Sequence, residues 1–156
     1  MNILILGAGL MQKPAILSAK ELGFTVCVID ANDKAVAIPY AHKFKKIDLK
    51  DKEGILEYAK ELQIEQNGGL AGVFTAGTDF SASVSYVCQK LSLPSHSFEA
   101  ATNASVKTQM RQCFKNHNVP SPEFFSVSKE QIQSESQINQ LLQTITSKIE
   151  YPFVVK

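Results

Sequence analysis

Two cationic side chains and one glycine turn are the parts of this chain whose types and spacing suggest chemistry. Lys156 follows Tyr151-Pro152-Phe153-Val154-Val155, a strand-like apolar run. A lysine fixed on a rigid strand offers a positioned charge to a polyphosphate, and one partly buried there needs an anion to meet it. Lys107 lies far upstream in Asn103-Ala104-Ser105-Val106-Lys107-Thr108-Gln109-Met110-Arg111, where by itself it reads as a solvated helix lysine. Taken together, the two lysines suggest a nucleotide-binding enzyme of which only the front part is present.

The glycine turn is Gly7-Ala8-Gly9, placed after one apolar run and before a helical pattern, with Asp30 closing the next apolar run. Its position is that of a dinucleotide-binding turn, and Asp30 falls near where a ribose-binding acid belongs. The third glycine is missing, because Gln12 stands there. A glutamine at that point crowds the pyrophosphate path, which weighs against NAD. Two other readings stay open. The glycines serve only a tight strand-to-helix turn, or the loop faces a different ligand, with Gln12 as an amide donor to it. Thr75-Ala76-Gly77-Thr78-Asp79 follows a later strand and opens on the same edge. Thr78 or Asp79 is expected to cap the next helix, and a substrate contact is the competing role.

The elements that must hold these groups follow from periodicity. Ile3 to Leu6, Thr25 to Ile29 and Gly72 to Thr75 are short apolar runs suited to strands buried on both faces, with a shorter candidate at Phe44 to Ile47. Between them lie helical patterns. Pro14 opens one with Ala15, Ile16, Ala19 and Leu22 on one side and Gly23 as its stop. Asp51 caps a second with Ile55, Leu56, Ala59 and Leu62 inward, and Val84, Val87, Cys88 and Leu91 mark a third. Strict alternation of strand and helix argues for an α/β fold, a Rossmann-like parallel sheet with helices on both faces.

The pattern changes near Leu93-Pro94, which places a first domain at residues 1–94 and the start of a second, α+β unit at residues 95–156. There a small polar segment, Ser97 to Ala104, leads into a helix with Val106, Met110, Cys113 and Phe114 on its buried side. Val119-Pro120-Ser121-Pro122 ends it. Glu123 to Val127 is a candidate strand, Ser128 to Gln137 a loop or helix start, and Ile138, Leu141, Leu142, Ile145 and Ile149 a helical stripe before the terminal strand.

Composition narrows the classes. With 156 residues, 44% hydrophobic and 20% charged, the chain is an ordinary globular protein. A net charge of +1 gives no reason to expect nucleic acid or an anionic membrane as partner. The start, Met1-Asn2-Ile3-Leu4-Ile5-Leu6-Gly7, lacks a basic region and breaks at a glycine, so it reads as a strand. Cys27, Cys88 and Cys113 suit neither a disulfide framework nor a zinc site, and reduced, buried thiols in a cytoplasmic protein are expected. His42, His96 and His117 have no metal spacing, and no hydrolase, P-loop or metalloprotease signature is present.

The succession of these segments is similar to one known family. Gly7-Ala8-Gly9-Leu10-Met11-Gln12-Lys13-Pro14-Ala15-Ile16, then Ala19-Lys20-Glu21-Leu22-Gly23 and Val28-Ile29-Asp30, resembles the opening of ATP-grasp enzymes of the carbamoyl-phosphate-synthase-like and purine-biosynthetic branches. Ser97-Phe98-Glu99-Ala100-Ala101, Lys107, Arg111 and Asn118-Val119-Pro120-Ser121-Pro122 resemble that family's entry into its second domain. The likeness covers nearly the whole chain in family order.

The resemblance implies a ligase. Such enzymes use ATP and Mg2+ to phosphorylate a carboxylate, and an amine or thiol then displaces the phosphate. By position, Lys107 and Lys156 match the two lysines that hold the ATP phosphates. Gly7, Gly9, Leu10 and Gln12, with Thr78 and Asp79, match the region facing the non-nucleotide substrate. The family's magnesium ligands and adenine-contacting segment fall in a later half that this sequence lacks, so no metal ligand and no catalytic residue is assigned, and the chain alone is expected to be inactive. Its partners would be small carboxylates and amines, with a homodimer possible. The alternative is a stand-alone Rossmann-like module that binds NAD or ATP, against which Gln12 counts. An assembly element is a third reading.

Overall fold

The computed structural model describes residues 1–66 and 68–155. The chain forms two compact units, Met1–Val106 and Lys107–Lys156. The first is built on four strands, β1 (Asn2–Leu6), β2 (Thr25–Asp30), β3 (Lys43–Lys46) and β4 (Leu70–Thr75). All pair in parallel, in the order β3-β2-β1-β4. The chain therefore winds outward from β1 to β3 and then returns to the other side of β1 for β4. In open α/β sheets such a reversal, here at the carboxyl ends of β1 and β4, marks the crevice where ligands bind.

The strands are apolar because both faces are covered. Leu4 and Leu6 point to one side, where α2 (Lys52–Gln63) and α3 (Ser81–Lys90) supply Ile55, Leu56, Ala59, Leu62, Val84, Val87 and Cys88. Ile5 points to the other side, where α1 (Lys13–Glu21) supplies Ile16 and Ala19. Asp51 caps α2, accepting the Gly54 N–H at 3.0 Å, as the sequence predicts. Gly23, at φ +84°, ends α1 in a conformation that costs glycine little. Leu22 lies past the last turn and is exposed rather than inward.

The outer strand β3 is basic, and its lysines pair with acids. Lys43 meets Glu65, Lys45 meets Glu61 and Lys46 meets Asp33. Charged side chains on an edge strand discourage pairing with another sheet. The buried Asn2 side chain donates to the Leu62 carbonyl and to Glu65, both at 3.0 Å, tying the start of β1 to the end of α2.

The compact first unit runs past Pro94. Residues 98–105, read from sequence as a polar lead-in, form α4 (Phe98–Ser105), capped by Ser97, whose hydroxyl accepts from the Ala100 N–H. Alanines make the segment a good helix former, and α4 packs on α3 with Ala101 buried and Tyr86 edge-on to Phe98. Val106 ends α4 and is exposed, not inward.

The second unit contains α5 (Lys107–Asn116), a 3₁₀ turn at Lys129–Ile132 and α6 (Glu135–Thr146). Neither strand expected here forms among the described residues. Residues 123–127 are irregular, and so are residues 151–155, where Val154 and Val155 are exposed. A strand needs a neighbour to satisfy its backbone groups, and no described residue of this unit offers one. Ile138 and Leu142 are likewise exposed, so the stripe on α6 is amphipathic without a covered core beneath it.

Two outcomes follow for stability. Ile55→Ala should destabilise the first unit by about 2–5 kcal/mol, whereas Ile64→Ala, at a side chain 84% exposed, should cost under about 1 kcal/mol in urea unfolding. Burial, only partly offset by the Lys43 ammonium, pushes the Cys27 thiol from 9.0 up to about 11. The folded state therefore holds that proton more tightly than the unfolded chain, so stability is full below pH 9 and declines as pH rises from 9 toward 11. Cys88, also buried, is raised in the same sense. Cys113 is only half-buried, contrary to the sequence expectation, and should be the one thiol that a disulfide reagent modifies quickly at pH 8.

Candidate functional site

The crevice at the carboxyl ends of β1 and β4 is closed by the very residues that sequence singles out. The chain leaves β1 at Gly7, with φ at +97°, and turns through Ala8 and Gly9 into a 3₁₀ turn at Leu10–Gln12 that continues into α1. Gln12 is 6% exposed and folds back under this turn. Its Oε1 accepts the Gly9 N–H at 3.0 Å, and its Nε2 donates to the Ala76 carbonyl in the loop after β4. One carboxamide thus stitches the two loops across the point where the sheet reverses.

The glycines are explained by that side chain. A Cβ at Gly7 would lie 3.1 Å from Gln12 Cδ, and one at Gly9 would lie 3.1 Å from Gln12 Oε1. Gly77, at φ +63°, makes a second tie, because a Cβ there would come within 2.9 Å of Met11 Cβ. Thr75 Oγ1 adds a third, donating to the Leu6 carbonyl at 2.8 Å.

Asp30 holds the turn from the other side. Its Oδ2 accepts the Ala8 N–H at 2.8 Å, and its Oδ1 accepts the Asn32 N–H at 2.9 Å. Each carboxylate oxygen accepts from the backbone, so Asp30 has a structural role at this turn. The Gly7 N–H donates to Ile29 O at 2.8 Å, and the Ala8 carbonyl accepts from Ala37 N–H at 2.8 Å. All three amides of Gly7-Ala8-Gly9 are spent within the protein.

What the crevice presents outward is correspondingly apolar. Leu10 is 71% and Met11 67% exposed. Thr78 is half-buried and Asp79 exposed, and neither caps α3. That helix starts at Ser81 with Phe80 at its N-cap and no side-chain cap. Neither side chain has a hydrogen-bond partner among the described residues. The nearby Lys13 ammonium donates to Tyr40 Oη at 2.9 Å and sits 4.1 Å from the centre of that ring.

Lys107 is exposed as the first residue of α5, in the second unit. Lys156 lies outside the described residues. Among the described residues no three His, Cys, Asp or Glu side chains gather in a way that fits a metal ion, and no helix is long and apolar enough to cross a membrane. Of the two readings the sequence leaves open for this loop, a plain tight turn or a ligand-facing loop with Gln12 as amide donor, neither anticipates that both groups of the carboxamide bond to backbone. The spacing from Gly9 to Gln12, that of an N-cap and its third residue, was the available signal for the inward turn.

Comparison of the fold with solved structures decides the architecture. The phosphoribosylglycinamide synthetase of Anaerococcus prevotii matches 92% of this chain with a TM-score of 0.68 and 26% identity. The chain has the fold of the N-terminal region of ATP-grasp proteins. The N5-carboxyaminoimidazole synthetase of Staphylococcus aureus matches 99% of the chain at 0.66 and 18% identity, and its ADP complex matches too. The L-amino acid ligase of Bacillus licheniformis matches 97% at 0.61 and 16% identity. The chain spans 34%, 38% and 42% of the length of those three proteins. No family model and no curated protein matches the sequence.

The structural role of Asp30 is open to a direct check. In Asp30→Ala the Ala8 and Asn32 amides lose their acceptor, and the variant should be destabilised by about 1–3 kcal/mol. Hydrogen exchange at Ala8 should accelerate while exchange in α3 stays as in the parent. Unchanged protection at Ala8 would remove Asp30 as the anchor of the turn.

Proposed function

We propose that this chain is the front portion of an ATP-dependent carboxylate–amine, or carboxylate–thiol, ligase that acts in the cytoplasm through an acyl-phosphate intermediate. The observation that carries the reading is the fold itself. Between 92% and 99% of the chain follows ATP-grasp ligases and synthetases, one of them captured with ADP, over 34% to 42% of their own length. In the reaction a carboxylate oxygen attacks the γ-phosphorus of ATP and ADP leaves. The amine or thiol then attacks the acyl carbon, phosphate departs, and the nucleophile's proton passes to solvent. Such a transfer asks the protein for alignment and charge neutralisation rather than for a nucleophile of its own.

Lys107 and Lys156 are the residues proposed to hold the ATP phosphates. A lysine in the first turn of a helix sits at the positive end of the helix dipole, where it does not help the helix. Lys107 occupies that unfavourable place, and an anion arriving there would meet both the ammonium and the free amides of the turn. Mg2+ belongs to the proposal only through ligands beyond these described residues, so no step is drawn through it. The loop pair carrying Gly7, Gly9, Leu10, Gln12, Thr78 and Asp79 is proposed to face the non-nucleotide substrate, and the division into residues 1–94 and 95–156 to follow the boundary between the first domain and the ATP-grasp unit.

The 156-residue chain incubated with ATP, Mg2+ and mixed carboxylates and amines should release no ADP above background, and substantial release would refute its description as a portion. A protein carrying this chain extended to the neighbours' length should release ADP only when a carboxylate is supplied, with hydroxylamine trapping the activated acid as a hydroxamate. Lys107→Ala in that protein should weaken ATP binding at least about tenfold, close to 1.4 kcal/mol. An unchanged affinity would take Lys107 out of the phosphate site.

A further inference from the structure

The clasp formed by Gln12 has a consequence for which substrates the loop pair can accept. A glycine turn after the first strand binds phosphate when its backbone amides are free and its backbone can be approached closely. Neither condition holds here. The Gly7, Ala8 and Gly9 amides donate to Ile29 O, Asp30 Oδ2 and Gln12 Oε1. The space beside both glycines is filled by the Gln12 carboxamide, at 3.1 Å from each missing Cβ.

The Lys13 ammonium, at the start of α1, is turned onto Tyr40. The groups left exposed at the mouth are Leu10, Met11 and Asp79, with the half-buried Thr78 beside them. A phosphate entering beside the glycine turn would lose its hydration and find none of the three turn amides free in return. An apolar body would bury Leu10 and Met11 instead, at roughly 25 cal/mol per Å² of apolar surface removed from water.

We propose that Gln12 is a specificity-determining residue, which locks the glycine turn against phosphate so that the loop pair takes a non-phosphorylated, apolar-bodied substrate. Gln12 acts by position: it consumes the Gly9 amide and occupies the room that a phosphate needs. The inference rests on the reading that this loop pair faces the non-nucleotide substrate. It is independent of whether ATP is used, because it concerns binding in ATP's absence.

The test uses the 156-residue chain with backbone amides observed by NMR. Inorganic pyrophosphate and ribose 5-phosphate serve as phosphate probes, and L-leucinamide as the apolar, non-phosphorylated probe. In the parent chain, neither phosphate probe should produce saturable shifts at Gly7, Ala8 or Gly9 at about 1 mM, whereas L-leucinamide should shift Leu10 and Met11. Gln12→Gly frees the Gly9 amide, empties the space beside both glycines and completes the three-glycine spacing. It should bind pyrophosphate at least about tenfold more tightly than the parent.

Saturable pyrophosphate or ribose 5-phosphate shifts at Gly7 to Gly9 in the parent would overturn the proposal. So would a folded Gln12→Gly chain with no gain, or an absence of any L-leucinamide response. If Gln12→Gly does not fold, Gln12→Met keeps the volume while releasing the Gly9 amide. Its Gly9 amide should then exchange faster and still show no pyrophosphate binding, since the space remains filled; pyrophosphate binding by Gln12→Met would likewise overturn it. Carboxylate-dependent ADP release by the extended protein reports separately on the ligase reading, so each can fail without the other.

Discussion

Backbone amides in a turn enclosed by protein must find acceptors, because an orphaned N–H in such a place costs as much as a lost hydrogen bond or more. In this chain that requirement falls on Gly7, Ala8 and Gly9, at the point where the sheet reverses its winding. They could have been left for a ligand to satisfy, as in dinucleotide-binding turns. Instead Ile29, Asp30 and Gln12 satisfy them from within. Much else at this end of the molecule depends on that choice. The glycines are needed because Gln12 lies against them, Gly77 is needed because Met11 lies against it, and the loop after β4 is held in place by the same glutamine.

The resulting glycine turn is held from both sides, and none of its three amides is left free. Three ties join the loops after β1 and β4: the Gln12 carboxamide to Ala76, Met11 against Gly77, and Thr75 to Leu6. Rigid loops on a packed sheet place substrate groups reproducibly, which is the contribution such a domain can make to a reaction in which alignment dominates. The surface they offer is apolar, with Leu10 and Met11 outward, and it sits on a domain whose core is complete on the sides of α1, α2 and α3. Charge neutralisation of a triphosphate is a separate task, which falls to the lysines of the second segment in the proposed reaction.

The two units differ in how far their local patterns were realised. In the first, every strand and helix read from periodicity is present, because each apolar run has a covered face to fill and a neighbouring strand to pair with. In the second, the apolar runs at residues 123–127 and 151–155 have strand-like composition but no strand beside them among the described residues. Composition alone does not make a strand, since the pleated backbone is stabilised by what it pairs with and packs on. Alanine-rich residues 98–105 went the other way: intrinsic helix preference, a serine cap and the flank of α3 turned an expected lead-in into α4.

Sequence by itself determined the alternation of β1, α1, β2, α2, β4 and α3, the Asp51 cap, the inward residues of α2, and the location of a candidate site at Gly7–Gln12 and Thr75–Asp79. These follow from periodicities and turn chemistry that act over a few residues. Only the tertiary structure decided what the site residues do. Asp30 and Gln12 are polar residues at positions where a ligand contact and a backbone contact look the same in one dimension. They became anchors because folding brought the Ala8 and Asn32 amides to one, and the Gly9 amide and the Ala76 carbonyl, 64 positions away, to the other. A hydrogen bond between segments so far apart is set by the winding order of the sheet, and no local pattern carries that information.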